Sequence, residues 1–141
     1  MKNLMLFSAL LILVASCSSN ETFEEKILGD WQVYSFVINC DDPAQNVAFT
    51  RAEDDGCMEF WGDTQCISLS INPRGKAEIT SSFGTDSFTQ ELSYTLVESR
   101  EIINVCEEGG DCIEFTLDNN RIVQVMDEDD CLCEFQYNKM D

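Results

Sequence analysis

Cysteine is the residue type best placed to do chemistry in this chain. Cys40, Cys57, Cys66, Cys106, Cys112, Cys131 and Cys133 are spread along it, and histidine is absent. Thiols pair as disulfides, ligate soft metals or attack as thiolates. Without histidine there is no imidazole-bound zinc, no Ser-His-Asp triad and no Cys-His dyad. No CxxC spacing occurs. The tightest pair, Cys131-Leu132-Cys133, is flanked by Asp129, Asp130 and Glu134, while Glu107, Glu108 and Asp111 lie between Cys106 and Cys112. Negative neighbours raise a thiol pKa and reduce the attacking thiolate. Neither a metal thiolate nor a catalytic cysteine is therefore expected.

Carboxylates are the second resource, at 27 acids against 8 bases, a net charge of -19. They gather in residues 53–63, 107–111 and 127–130. Calcium takes oxygen ligands from such loops, but EF-hand spacing is missing, so solvated turns are expected, with no metal and no cofactor. No carboxylate pair stands out as an acid/base couple, no catalytic residue is assigned, and a non-enzymatic protein is expected. The charge also argues against nucleic acid, whose partners are basic.

Lys2 followed by an almost wholly apolar run at residues 4–14 has the layout of a secretory signal. That run, about eleven residues, falls short of the ~20 helical residues that cross a bilayer. It ends Val14-Ala15-Ser16-Cys17, which resembles the lipobox of bacterial lipoproteins. The resemblance implies cleavage after residue 16, diacylglycerol on the Cys17 sulfur and a third acyl chain on its amine. Residues 17–21 would be the lipidated cysteine and tether, and residues 22–141 the domain. A Gram-negative cell is implied. Ser18 is not the aspartate that in some lipoproteins signals inner-membrane retention, so an outer-membrane anchor is expected, on the periplasmic side or the cell surface. Losing the signal removes Lys2 alone among charged side chains, leaving 7 bases against 27 acids, a net charge of -20. An oxidising compartment makes disulfides the first reading of the seven other cysteines, and an odd number leaves one thiol unpaired.

The elements that must position these residues are mostly strands. Thr22-Phe23-Glu24-Glu25 fits a capping box for a short helix over residues 23–28, stopped by Gly29. Residues 30–39 read as a strand with Trp31, Val33 and Val37 on one face and Tyr34, Phe36 and Ile38 on the other. Residues 57–61 could add a strand in an otherwise irregular stretch. Alternation is cleaner later: Ile67, Leu69 and Ile71; a turn at Asn72-Pro73-Arg74-Gly75; Ala77 and Ile79; then Phe88, Leu92, Tyr94 and Leu96. Such patterns mark half-buried antiparallel strands. A turn at Ser99-Arg100 would set Glu98 against Glu101.

Hairpin register follows from keeping apolar faces together. Cys106 opposite Cys112 places Val105 against Ile113 and Ile103 against Phe115, so Cys106–Cys112 is the expected disulfide. A three-residue loop Asp118-Asn119-Asn120 then sets Phe115 against Val123 and Ile113 against Val125. A loop Glu128-Asp129-Asp130 sets Val125 against Cys133 and Val123 against Phe135. The remaining pairs stay open, with Cys131 and Cys133 each reaching elsewhere, for example to Cys40, Cys57 or Cys66.

About eight strands in a simple meander suggest an all-β, up-and-down antiparallel barrel after a short N-terminal helix. Gly29-Asp30-Trp31 after that helix, the meander, and a cysteine-bearing last strand ending Tyr137-Asn138-Lys139 resemble the small lipocalin-like lipoproteins of Gram-negative bacteria. The resemblance covers about residues 22–139 and implies an arginine near the barrel end packed over Trp31; no arginine follows Arg121, and Arg121 and Lys139 are the only nearby bases. It also implies a non-catalytic module whose barrel either fills with side chains or holds one small apolar ligand. The expected lining is Trp31, Tyr34, Phe36, Phe88, Tyr94, Phe115 and Phe135. The alternative is an envelope interaction protein with a filled core, meeting a basic protein partner or cations through its acidic face.

Overall fold

The computed structural model describes residues 21–50, 57–60 and 63–141; the Cys17 lipobox and most of the first acidic group lie outside them. The order is α1 (Phe23–Ile27), β1 (Gly29–Cys40), β2 (Val47–Thr50), β3 (Met58–Phe60), β4 (Asp63–Asn72), β5 (Lys76–Phe83), β6 (Asp86–Val97), β7 (Ile102–Cys106), β8 (Cys112–Asp118), β9 (Arg121–Glu128) and β10 (Cys131–Lys139). From β4 to β10 each strand pairs with the next, β10 pairs with β1, and the start of β1 pairs with β4. Eight antiparallel strands thus close the all-β barrel that the meander pattern predicts, with a short helix before it. Short β2 and β3 run beside the far halves of β1 and β4.

Register explains why both faces of the first strand read as apolar. A bulge between Val33 and Ser35 shifts the pairing with β10 by one residue. Trp31 and Val33 point inward before it and Phe36 after it, and all three are buried. Tyr34 is displaced to the outer face, where the Arg121 guanidinium lies 5.5 Å from its ring centroid. The two-face reading of residues 30–39 is therefore corrected: one extra residue exchanges the faces halfway along the strand.

Two hairpins also depart from expectation. The β7–β8 pairing sets Ile103 against Phe115 and Val105 against Ile113. In β8–β9, however, Phe115 faces Gln124 rather than Val123, and in β9–β10 Phe135 faces Gln124 while Met126 faces Cys133. Both loops have two residues, not three, with every loop residue at positive φ: Asn119 48°, Asn120 63°, Asp129 44° and Asp130 67°. Such turns match the twist of paired strands, and Asn and Asp tolerate that backbone. The slip turns Val125 outward, to 53% exposure. Gln124 is carried inward instead, where it accepts a 3.0 Å hydrogen bond from the buried Tyr137 hydroxyl. The β6–β7 connection is a one-turn 3-10 helix, Glu98–Arg100, ending at Glu101 with φ 52°, so Val97 rather than Glu98 opens the pairing.

One end of the barrel is plugged. The capping box on α1 is complete, with Glu25 N–H donating to the Thr22 hydroxyl and Thr22 N–H to the Glu25 carboxylate. The Thr22 N–H and the Thr22 hydroxyl both donate to the Glu25 carboxylate and hold it below its ordinary pKa. The helix drives Ile27 into the core, and Trp31 Nε1 donates a 2.7 Å bond to the Ile27 carbonyl. Lys139 is the base over Trp31, its Nζ 5.5 Å from the ring, and it also donates to the Lys26 carbonyl at 3.1 Å. Gly29, at φ +124°, makes the helix-to-strand turn close against Lys139.

Candidate functional site at the barrel mouth

Burial along the inner wall falls from the plugged end toward the other. On β6 the inward positions run Tyr94 and Leu92, buried, then Gln90, half-buried, then Phe88 at 65% exposure. On β8 Leu117 and Phe115 are buried and Ile113 is 38% exposed; on β5 Ala77 is buried and Phe83 is 56% exposed. Side chains therefore fill the half nearest α1, around Trp31, Leu69, Ile103, Phe115 and Ile122. Above them the wall opens into a cup.

One part of this cup is a recess of ≈ 280 Å³ between the inner faces of β6, β7 and β8. Leu92 and Val105 form its buried floor, Ile113 and Gln90 its walls, and Glu107, Gly110 and Asp111 of the β7–β8 turn its rim. The Gln90 amide donates to the Glu107 carboxylate. A Cβ on Gly110 would stand 2.9 Å from Glu107 Cβ, so glycine is what lets that side chain lie against the turn. Across the cup, Phe36 stacks between Phe49 and Phe135, at centroid distances of 5.8 and 5.9 Å.

Of the seven aromatic residues expected to line a pocket, none borders this recess: Phe36 is buried against Phe49 and Phe135, and Phe88 is 65% exposed on β6. Tyr94 and Phe115 lie in the packed floor; Phe115 meets Tyr137 edge-on, and the Tyr94 hydroxyl donates to Glu24 at 3.3 Å. Burial pushes the Tyr94 and Tyr137 hydroxyls above the ordinary tyrosine pKa. Trp31 belongs to the plug and Tyr34 to the outer wall, so both leave the lining set. The recess residues Gln90, Leu92, Val105 and Ile113 lie outside the expected aromatic set, although the β7–β8 register sets Val105 beside Ile113.

Disulfides gather at the mouth. Cys40–Cys131 joins β1 to β10, Cys106–Cys112 joins β7 to β8, and Cys57–Cys66 ties the segment before β3 to β4. Cys133 is a free, buried thiol, and desolvation pushes its pKa up. Among the described residues no group of three or more acids or cysteines is arranged to hold a metal ion.

Charge is polarised along the barrel. Antiparallel order puts Asp41, Asp42, Asp86, Glu107, Glu108, Asp111 and residues 127–130 in the turns and strand ends of the mouth. Lys26, Arg74, Lys76, Arg100, Arg121 and Lys139, which are all the bases among the described residues, lie toward the plugged end. Lys76, the base nearest the rim, shares an outer-wall groove with Glu91 and Glu108. No helix among the described residues is long and apolar enough to cross a membrane.

No protein-family model matches the chain, and no curated protein matches it. Among solved structures it is similar to fatty-acid-binding protein 1 of Echinococcus granulosus, at 16% identity and a TM-score of 0.40, over 83% of this chain and 99% of that one.

Proposed function

We propose that the protein is a non-catalytic lipoprotein of the bacterial cell envelope, anchored to the outer membrane through Cys17, whose barrel mouth binds one small apolar ligand. The anchor rests on the signal-like run and the lipobox resemblance at residues 14–17. The observation that carries ligand binding is the recess with Leu92 and Val105 as its floor and Ile113 exposed on its wall. Recesses that combine an apolar floor with a few polar groups are the usual form of ligand sites. Its volume of ≈ 280 Å³ suits one small molecule or one alkyl segment.

The anchor is tested by Cys17→Ser, which should abolish acyl-chain incorporation and release the protein from membranes; retained acylation would defeat it. Ligand binding is tested by titrating the mature Cys17→Ser chain with Nile red, a neutral apolar dye. One dye per chain with enhanced emission is expected, and Ile113→Glu, a change at a partly exposed position, should weaken binding at least about tenfold. No saturable binding, or binding indifferent to Ile113→Glu, would remove the proposal.

A second reading is favoured by the packed lower barrel and the acidic turns of the mouth: an interaction protein whose acidic rim meets a basic protein partner. Its signature would be association that weakens steeply with salt and that Ile113→Glu leaves intact.

A further inference from the structure

We infer that the mouth recess selects amphiphiles with a cationic head, the apolar part on Leu92, Val105 and Ile113 and the positive group at Glu107 and Asp111. This rests on the ligand-binding reading above and names the class of ligand.

Three observations lead to it. The floor of the recess, Leu92 and Val105, and its Ile113 wall are apolar, Gln90 supplies the other wall, and both ionisable groups lining it, Glu107 and Asp111, are acids. Glu107 is held in place: the Gln90 amide occupies its Oε1, and the missing side chain at Gly110 lets Oε2 lie beside the turn. Among the described residues no protein donor reaches Oε2, which is left to bind a cation. No base lines the recess itself; the nearest described one, Lys76, shares the outer-wall groove with Glu91 and Glu108. A carboxylate-headed amphiphile entering the same recess would set like charge against Glu107 and Asp111, whereas an ammonium head would form charge-assisted hydrogen bonds. The wider field favours the same choice, because Glu108 and the acids at residues 127–130 share that end of the barrel.

The test is calorimetric titration of the mature Cys17→Ser chain at pH 7 with three ligands sharing one alkyl chain: decylammonium, decanol and decanoate, each kept below its micellar concentration. The expected order is decylammonium, then decanol, then decanoate, with cation and anion separated by about tenfold or more, the size of one added charge contact. The gap should shrink in high salt. In Glu107→Gln/Asp111→Asn, decylammonium should fall to the affinity of decanol while decanol itself is unchanged. Equal binding of all three ligands would overturn cation selection and leave the apolar site standing. Binding of none would overturn both. Binding of a basic peptide but not of decylammonium would overturn it in favour of a protein partner.

Discussion

Gln124 and Tyr137 show how a single buried pair sets the packing of the barrel. The two meet inside it, and their hydrogen bond satisfies the one polar side chain carried inward on β9. Removing one partner strands the other, whereas removing both leaves an apolar core. Tyr137→Phe should therefore cost about 1–3 kcal/mol in urea unfolding, and Gln124→Met added to Tyr137→Phe should recover much of that loss. Additive losses would show that the bond carries no coupling. Cys133 supplies a second residue-scale test. Burial raises its pKa, so the thiol stays protonated in the fold at pH values where an unfolded thiol ionises. Its contribution to stability is complete below the ordinary thiol pKa and is lost as pH rises through the raised value. Iodoacetamide at pH 8 should modify Cys133 slowly in the native chain and rapidly in urea, as read by mass spectrometry; equal rates would contradict its burial.

Among the elements, the disulfides do different amounts of work because they close different lengths of chain. Cys40–Cys131 spans 91 residues and Cys106–Cys112 spans 6. Chain-entropy arithmetic assigns about 4.5 kcal/mol to the first and about 2 kcal/mol to the second. Cys40→Ala/Cys131→Ala should thus lower the unfolding free energy roughly twice as much as Cys106→Ala/Cys112→Ala; the reverse order in denaturant titrations would mean that native strain or residual structure dominates. The hairpins show why some register was legible and some was not. For β7–β8 the pairing that sets Cys106 against Cys112 also matches the apolar faces, with Val105 against Ile113. For β8–β9 and β9–β10 the valine-rich pairing looked better, but turn geometry prevailed: the Asn119-Asn120 and Asp129-Asp130 turns close in two residues, and Gln124 finds a buried partner. A criterion of apolar faces alone cannot anticipate a buried amide with its own donor.

At the scale of the whole molecule the barrel has two unlike ends. The plugged end carries α1, Trp31, Lys139 and most of the described bases; the mouth carries the recess, the exposed Phe83 and Phe88, and a majority of acids. Cys17 precedes Glu21 by four residues, at most ~14 Å of extended chain. Glu21 lies beside Lys26, Trp31 and Lys139 at the plugged end. A lipid on Cys17 would therefore hold that end near the bilayer and turn the mouth away from it. In vesicles carrying the acylated protein, a fluorophore at Asn120 should transfer energy to a headgroup acceptor much more efficiently than one at Thr85, at the tip of the β5–β6 hairpin. Equal transfer, or the opposite order, would refute this orientation.

By itself the sequence determined what depends on local pattern and spacing. The capping box at Thr22–Glu25 fixed where the helix begins, alternation marked most of the strands, and their unbroken succession implied an up-and-down barrel. What only the tertiary structure decided depends on choices between near-equivalent arrangements. The bulge between Val33 and Ser35 moved Tyr34 out and Phe36 in, because one added residue reverses facing for everything beyond it. Barrel closure brought Cys40 to Cys131 across 91 residues, leaving Cys133 as the odd thiol. It also collected at the mouth acids that lie far apart in sequence, while the described bases lie toward the other end among further acids such as Glu24, Asp30 and Glu98. The recess arises there because the inner wall extends beyond the level that its own side chains can fill.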